Sequence, residues 1–417
     1  MINNRKKFGL IGYPLGHSLS PRIHQHFAEY DYQLLETPAD QFANLLEEKD
    51  FAGLNVTIPY KQAVIPYLDQ VAELAQEIGA VNTIVNQQGK LSGYNTDFAG
   101  LAYLLAKADI ELQDKNVVIL GSGGAGQMAA CLAKHHECSS CHFYSIRQPL
   151  AVLPEKYQAA HVIINASPVG MYPHNLDQRL ELNQFPNLEA VVDLIYNPLK
   201  TQLVLEAENR GLKAVGGLAM LVAQAFYASQ LFSAKELDST ILDRVCTKEE
   251  SQLRNWILIG MPGVGKSTTA KALGQLTGRQ VLDSDQILES RFQQTIADYL
   301  QNNGETAFRK AESQVIQELG AKQGVIIATG GGAVLNQTNQ FALRQNGDLI
   351  WLDRPLNQLV TQGRPLSRGS SGLAKLWQER QAVYERLAQI KVSVSPQVEI
   401  TCQRLLKGIK GHEINGH

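Results

Sequence analysis

Residues 260–267 read Gly-Met-Pro-Gly-Val-Gly-Lys-Ser and fit the phosphate-loop pattern Gly-x4-Gly-Lys-Ser/Thr. The spacing has a physical logic: glycines let the backbone wrap a phosphate, and the helix that follows aims its unpaired N–H groups at the same point. Lys266 adds a positive charge, and the Ser267 hydroxyl can hold a magnesium ion. Val281-Leu-Asp-Ser-Asp285 then supplies two carboxylates one residue apart. Beside a phosphoryl donor, one can support magnesium and the other can orient or deprotonate an acceptor hydroxyl; elsewhere they form a solvated turn. Further on, Thr-Gly-Gly-Gly332 offers backbone without side chains for close approach to a ligand. Residues 362–372, rich in glycine and serine and containing Arg364, have the composition of a lid, while Arg380 is either a salt-bridging face residue or a carboxylate clamp.

A second set of candidates lies upstream. Lys61 closes Gly53-Leu-Asn-Val-Thr-Ile-Pro-Tyr-Lys61, a strand whose alternation stops at Pro59. Ligands in open α/β sheets sit at such strand ends, although a lysine there is also an ordinary solvated charge. Asn82 and Asp97 lie on residues 79–85 and 93–98, which Gln87-Gln-Gly-Lys90 joins as a hairpin. Ser18 and Ser20, just before Pro21, read by themselves as helix caps. Gln224, on an amphipathic helix opened by Gly216 and Gly217, faces either the core or a substrate. Residues 121–126, Gly-Ser-Gly-Gly-Ala-Gly, follow an apolar strand and precede a helix, the context of a dinucleotide-binding turn. The next strand ends at Arg147 instead of the carboxylate that binds the ribose of NAD. An arginine there can pair with a 2′-phosphate, so NADP is expected.

These groups need scaffolds, and the pattern supplies them. Strand-like apolar runs alternate with helical periodicity almost from end to end, which predicts an α/β chain with largely parallel sheets. A strand at 256–259 leads into the phosphate loop and a helix over 268–276 leads out. With 417 residues there is room for two or three cores. Residues 238–254 turn charged and weakly periodic, which places a domain boundary there. Thirty-eight basic against forty acidic side chains leave no field of one sign, so neither nucleic acid nor an anionic membrane is expected as a partner. No apolar run approaches the ~20 residues of a membrane span, and the first residues lack a signal-peptide core, so a cytoplasmic location is expected. Five scattered cysteines do not make a disulfide framework, and Cys138-Ser-Ser-Cys141 reads as two structural thiols.

Ser-Leu-Ser-Pro21, Asn55-Val-Thr-Ile-Pro-Tyr-Lys61, Ala80-Val-Asn-Thr83, Asn95-Thr-Asp97, the 121–126 glycine loop, Asn165-Ala-Ser-Pro-Val-Gly-Met171, Asp193-Leu-Ile-Tyr-Asn-Pro198 and Gly217-Leu-Ala-Met-Leu-Val-Ala-Gln224 occur in one order, and the first 245 residues or so resemble shikimate dehydrogenase. The resemblance implies that Ser18, Ser20, Thr57, Asn82, Tyr196 and Gln224 surround 3-dehydroshikimate and that Lys61 and Asp97 form an acid/base pair. It implies that Gly121, Gly123, Gly124, Ala125, Gly126 and Arg147 hold NADP, although Ser145-Ile-Arg147-Gln departs from the usual Asn-Arg-Thr. Residues 255 to about 410 resemble shikimate kinase. By that likeness Gly263, Gly265, Lys266, Ser267, Thr268 and Arg364 bind ATP, and Ser267 and Asp283 serve Mg²⁺. Asp285, Phe308, Arg309, Glu312, Gly331, Gly332 and Arg380 would hold shikimate, with Lys266, Asp285 and Arg364 acting in the transfer.

The expected architecture is a two-domain α/β dehydrogenase, with a substrate domain from 1–98 and 216–245 and a Rossmann NADP domain at 99–215. A linker at 246–254 and a P-loop, nucleoside-monophosphate-kinase-like α/β domain at 255–417 complete it. The expected function is bifunctional: NADPH reduces 3-dehydroshikimate, then ATP phosphorylates the shikimate formed. The alternatives are a quinate- or NAD-preferring dehydrogenase fused to a small-metabolite kinase, and a sensor that binds without turnover.

Overall fold

The computed structural model describes residues 7–16, 18–145, 153–176, 180–359 and 370–415. Two compact units emerge from the pattern of contacts: Met1–Asn197 with Leu203–Glu249, and Pro198–Gln202 with Glu250–His417.

The first unit holds two sheets. In one, β1 (Phe8–Gly12), β2 (Tyr32–Glu36), β3 (Gly53–Val56), β4 (Gln70–Val71), β5 (Thr83–Gln87) and β6 (Lys90–Tyr94) lie in the order β2-β1-β3-β5-β6-β4. The β5–β6 pair is the expected antiparallel hairpin, turned at Gln88 and Gly89 with φ of 56° and 85°. Both turn residues in the left-handed region give the twist that matches paired strands. The second sheet comprises β7 (Asn116–Leu120), β8 (Ser140–Tyr144), β9 (Val162–Asn165), β10 (Ala190–Asp193) and β11 (Lys213–Val215), all parallel, in the order β11-β10-β9-β7-β8. Alternate residues serve opposite faces: Val117, Ile119, Val162 and Ile164 enter one core, while Val118, Leu120 and Ile163 enter another. A strand buried on both sides must be apolar throughout, which is why these runs stood out in the sequence.

In the second unit β12 (Asn255–Ile259), β13 (Val281–Asp283), β14 (Ile326–Ala328), β15 (Gly347–Asp353) and β16 (Ile390–Ser393) form a parallel sheet ordered β13-β14-β12-β15-β16. Strand order reverses beside β7 in one sheet and beside β12 in the other, and each of these strands runs into a glycine loop. Crevices at such reversals are where open α/β sheets take ligands.

The division between the two units falls inside the expected linker at 246–254, between Glu249 and Glu250, and that segment is mostly helix, within Ile241–Leu253. Its charge is not all solvated: Glu249 is fully buried and bonded to Arg22 and His26. Among the described residues no helix is long and apolar enough to cross a membrane.

Candidate functional site

Backbone bonding gathers the first set of candidates. Beyond β3, the Thr57 N–H donates to Ile11 O (2.9 Å), and Lys61 O accepts from the Val81 N–H (2.8 Å). Asn82 O accepts from the Val56 N–H (2.8 Å), so the segments carrying Thr57, Lys61 and Asn82 are stitched together. Asp97 opens the helix Asp97–Lys107. That helix packs on Leu218–Ser233 closely enough that a Cβ on Gly100 would lie 3.1 Å from Gln224 Cβ.

Lys61 Nζ thereby donates to Asp97 Oδ2 across 2.6 Å. Asn82 is buried, and its Oδ1 accepts from the Thr96 N–H (2.7 Å) and Thr83 Oγ1 (3.0 Å) while its Nδ2 donates to Thr96 Oγ1 (3.0 Å). Gln224 donates to Leu221 O (2.9 Å). Leu19 is the N-cap of helix Ser20–His24, without a side-chain bond. Ser18 Oγ accepts from the Ser20 N–H at the start of that helix (3.2 Å) and donates to Ser20 Oγ (3.1 Å), and burial raises the Tyr196 hydroxyl pKa against the opposing pull of Ser18.

After β7, Gly121 adopts φ of +102°, and a Cβ on Gly126 would fall 2.1 Å from Gly121 O, so both positions require glycine. Nothing lies within 4 Å of a Cβ placed on Gly123, and helix Gly124–His135, which includes Ala125, begins there. Open backbone at a helix N-terminus fits a dinucleotide's pyrophosphate. A Cβ on Gly124 would stand 3.7 Å from Lys61 Cβ, which sets this cradle directly beside the Lys61–Asp97 pair. Arg147 lies outside the described residues, as does Arg364.

In the second unit Gly263 and Gly265 take φ of +84° and +105°, wrapping the loop ahead of helix Lys266–Thr277. Lys266 Nζ donates to Gly260 O (2.9 Å) and Met261 O (3.1 Å). A cavity of about 450 Å³ begins at Gly263, Gly265, Lys266, Ser267 and Thr268. Asp285, Phe308, Arg309, Glu312 and Arg380 line the same cavity. Arg309 Nη1 donates to Glu312 Oε2 (2.8 Å), and burial raises the Glu312 carboxyl pKa despite the opposing guanidinium. Arg380 is only 4% exposed and its Nε has no hydrogen-bond partner, so the wall holds a buried cation whose charge suits an anion in the cavity. Asp283 does not line the cavity; its Oδ1 caps helix Ser284–Phe292 by accepting from Asp285 N (3.0 Å) and Gln286 N (3.2 Å).

The glycine run explains how so many charged tips converge. A Cβ on Gly332 would meet Arg309 Nη1 at 2.9 Å, and one on Gly331 would meet Arg380 Nη1 at 3.1 Å. Gly330, not singled out from the sequence, faces Asp285 Oδ1 at 2.8 Å and Glu312 Oε1 at 3.0 Å by the same measure. Its N–H donates to Ser284 Oγ (2.9 Å). Gly330 was legible as the first of three consecutive glycines, but Ser284 and Thr96 carried no signal beyond lying between candidate residues.

Residues 10–84 match the family model for the shikimate dehydrogenase substrate binding domain, and residues 262–410 match that for shikimate kinase. The NADP(+) shikimate dehydrogenase of Clostridium beijerinckii is 33% identical over 267 residues, covering 59% of this chain and 99% of that protein. That of Moorella thermoacetica is 35% identical, covering 57% and 90%. Among solved structures, the Thermus thermophilus shikimate 5-dehydrogenase with NADP(H) and shikimate bound gives a TM-score of 0.53 at 32% identity, covering 58% of this chain and 99% of that one. A chorismate mutase/shikimate 5-dehydrogenase fusion from Clostridium acetobutylicum also gives 0.53, at 33% identity, covering 58% and 96%.

Proposed function

The chain belongs to the shikimate dehydrogenase family and carries a shikimate kinase domain behind it, and from that premise we propose that it reduces 3-dehydroshikimate to shikimate and then phosphorylates shikimate.

In the first reaction NADPH supplies hydride to the substrate ketone. Negative charge then grows on the ketone oxygen, and the Lys61 ammonium, held by Asp97, gives it a proton; positioned acid catalysis of this kind contributes about 10²–10⁴ in rate. Ser18, Ser20, Thr57, Asn82 and Gln224 hydrogen-bond the substrate hydroxyls and carboxylate, with Tyr196 nearby. The 121–126 loop and the helix behind it hold the cofactor's pyrophosphate, with Arg147 on the 2′-phosphate.

In the second, Asp285 orients the shikimate hydroxyl and accepts its proton, and Arg309 and Arg380 grip the carboxylate beside the backbone of Gly331 and Gly332. Phe308 and Glu312 complete that wall. ATP lies on Gly263, Gly265, Lys266, Ser267 and Thr268, with Lys266 and Arg364 balancing charge on the transferring phosphoryl group. Ser267 and Asp283 would hold Mg²⁺, which supplies further charge neutralisation.

The observation that joins the two halves is the kinase cavity: a phosphate loop and two arginines, Arg380 buried and Arg309 partly so, line one cavity and suit a small hydroxy-acid, the kind of product that the Lys61 site makes. Mass analysis of products from 3-dehydroshikimate, NADPH and MgATP, omitting one cofactor at a time, tests the reading. Shikimate should accumulate without ATP and shikimate 3-phosphate with both. Phosphorylated product in the absence of NADPH, or no turnover at all, would defeat it.

A further inference from the structure

Away from both sites, three side chains of different chemistry converge on one point. Cys131 and His135 sit one turn apart on helix Gly124–His135, so their side chains share a face. Glu77 reaches the same point from helix Glu73–Ile78. The Glu77 carboxylate, Cys131 Sγ and His135 Nε2 lie within 4.8 Å of one another, and Nε2 stands 3.0 Å from both carboxylate oxygens. Phe98 packs edge-on against the imidazole with ring centroids 5.4 Å apart and fixes one side of it.

The geometry points to a binding site for a zinc-class divalent cation held by Glu77, Cys131 and His135. Zinc bonds of about 2.0–2.3 Å to oxygen, nitrogen and sulfur set ligand atoms some 3–4 Å apart around the ion, which the 3.0 Å between Nε2 and the carboxylate meets and the 4.8 Å bound on the whole set brings within a small side-chain adjustment. One sulfur, one imidazole and one carboxylate suit a borderline-soft metal over magnesium or calcium, which take oxygen ligands. On binding, the Cys131 thiol loses its proton to solvent, and with the Glu77 carboxylate the two negative charges neutralise the dication. Cys131 is buried while Glu77 and His135 are exposed, so the ion enters from the surface and keeps water in its fourth position. The cation would tie the helix that leads into Ala80 and Asn82 to the helix that starts at the dinucleotide loop.

Cobalt(II), added to the full-length protein with magnesium in excess, provides the test, because an intense sulfur-to-cobalt charge-transfer band appears only with a thiolate ligand. One equivalent should develop the band, Cys138→Ser should retain it, and Cys131→Ser should abolish it while NADPH oxidation in metal-free buffer persists. Losing the partner of a ligand costs about 10–100-fold in affinity, so His135→Gln and Glu77→Gln should each weaken cobalt binding at least that much. These two exposed positions carry the test if Cys131→Ser fails to fold. Absence of the band in the unaltered protein, its survival in Cys131→Ser, or unchanged affinity in His135→Gln and Glu77→Gln overturns the assignment.

Discussion

Lys61 Nζ donates to Asp97 Oδ2 across 2.6 Å, with the carboxylate almost wholly buried and the glycine loop packed against the lysine stem. The lysine is thus a positioned cation beside the cofactor cradle. Replacing it by alanine removes the proton donor, and Lys61→Ala should lower NADPH-dependent reduction by about 10²–10⁴ while ADP formation with shikimate stays unchanged. Loss of both activities in a folded protein would mean that the two sites do not work independently.

The glycines of the kinase wall make a sharper case, because they act through what they lack. An alanine at 332 would put its methyl 2.9 Å from Arg309 Nη1, and the guanidinium tip would have to move. A misplaced charged hydrogen bond costs about 1.5–3 kcal/mol, so Gly332→Ala should raise the KM for shikimate by roughly 10–100-fold. The KM for ATP, which the phosphate loop holds through other residues, should stay unchanged. An equal rise in both constants would show that the arginine does not read shikimate.

Glu249 has no exposed side-chain surface, yet it carries a charge held by Arg22 Nε (2.8 Å) and His26 Nε2 (2.9 Å). Alanine would remove charged hydrogen bonds worth about 1.5–3 kcal/mol, with the 40% exposed Arg22 left to water rather than stranded in the core. Glu249→Ala should therefore lower the urea midpoint for loss of reductase activity markedly. A midpoint within error of the unaltered protein would show that this contact contributes nothing.

The same glutamate illustrates what was legible in the sequence and what was not. The phosphate loop, the 121–126 turn and the 87–90 hairpin could be read because each is local: a few residues set the backbone, and their types show it. Lys61 and Asp97 are separated by 36 positions, and only resemblance to a known pattern paired them before the structure did. Glu249 meets Arg22 across 227 positions, so nothing local showed that this charge is buried. Ser18 and Ser20 are the local case again: serine before proline is a sound signal for a cap, and Ser18 Oγ accepts from the Ser20 N–H at the start of helix Ser20–His24 (3.2 Å). Asn82 could be singled out, whereas the two threonines that fix its amide, Thr83 and Thr96, acquire that role only when β5 and the end of β6 come together.

His24 sets an acid limit on the first unit. Its ring is buried and stacked on Tyr32 at 3.9 Å, with Nδ1 2.6 Å from the Tyr30 hydroxyl and 3.1 Å from Ser229 Oγ. Burial brings its pKa down to about 3 from 6.5, and Nε2 has no hydrogen-bond partner to hold a proton in place. Between those two values the unfolded chain binds a proton that the native state refuses, so stability is present in full above about pH 6.5 and falls as the pH drops toward 3. The loss attributable to this one group is about 2 kcal/mol by pH 5. His24→Phe keeps an aromatic ring against Tyr32 and removes the titration, so its stability relative to the unaltered protein should improve by that amount between pH 7.5 and pH 5. Trp256, Trp351 and Trp377 all lie in the second unit, so fluorescence would follow the wrong half, and the urea midpoint for reductase activity is the measurement to make. A stability difference between the two proteins that is the same at both pH values would show that native His24 accepts the proton after all.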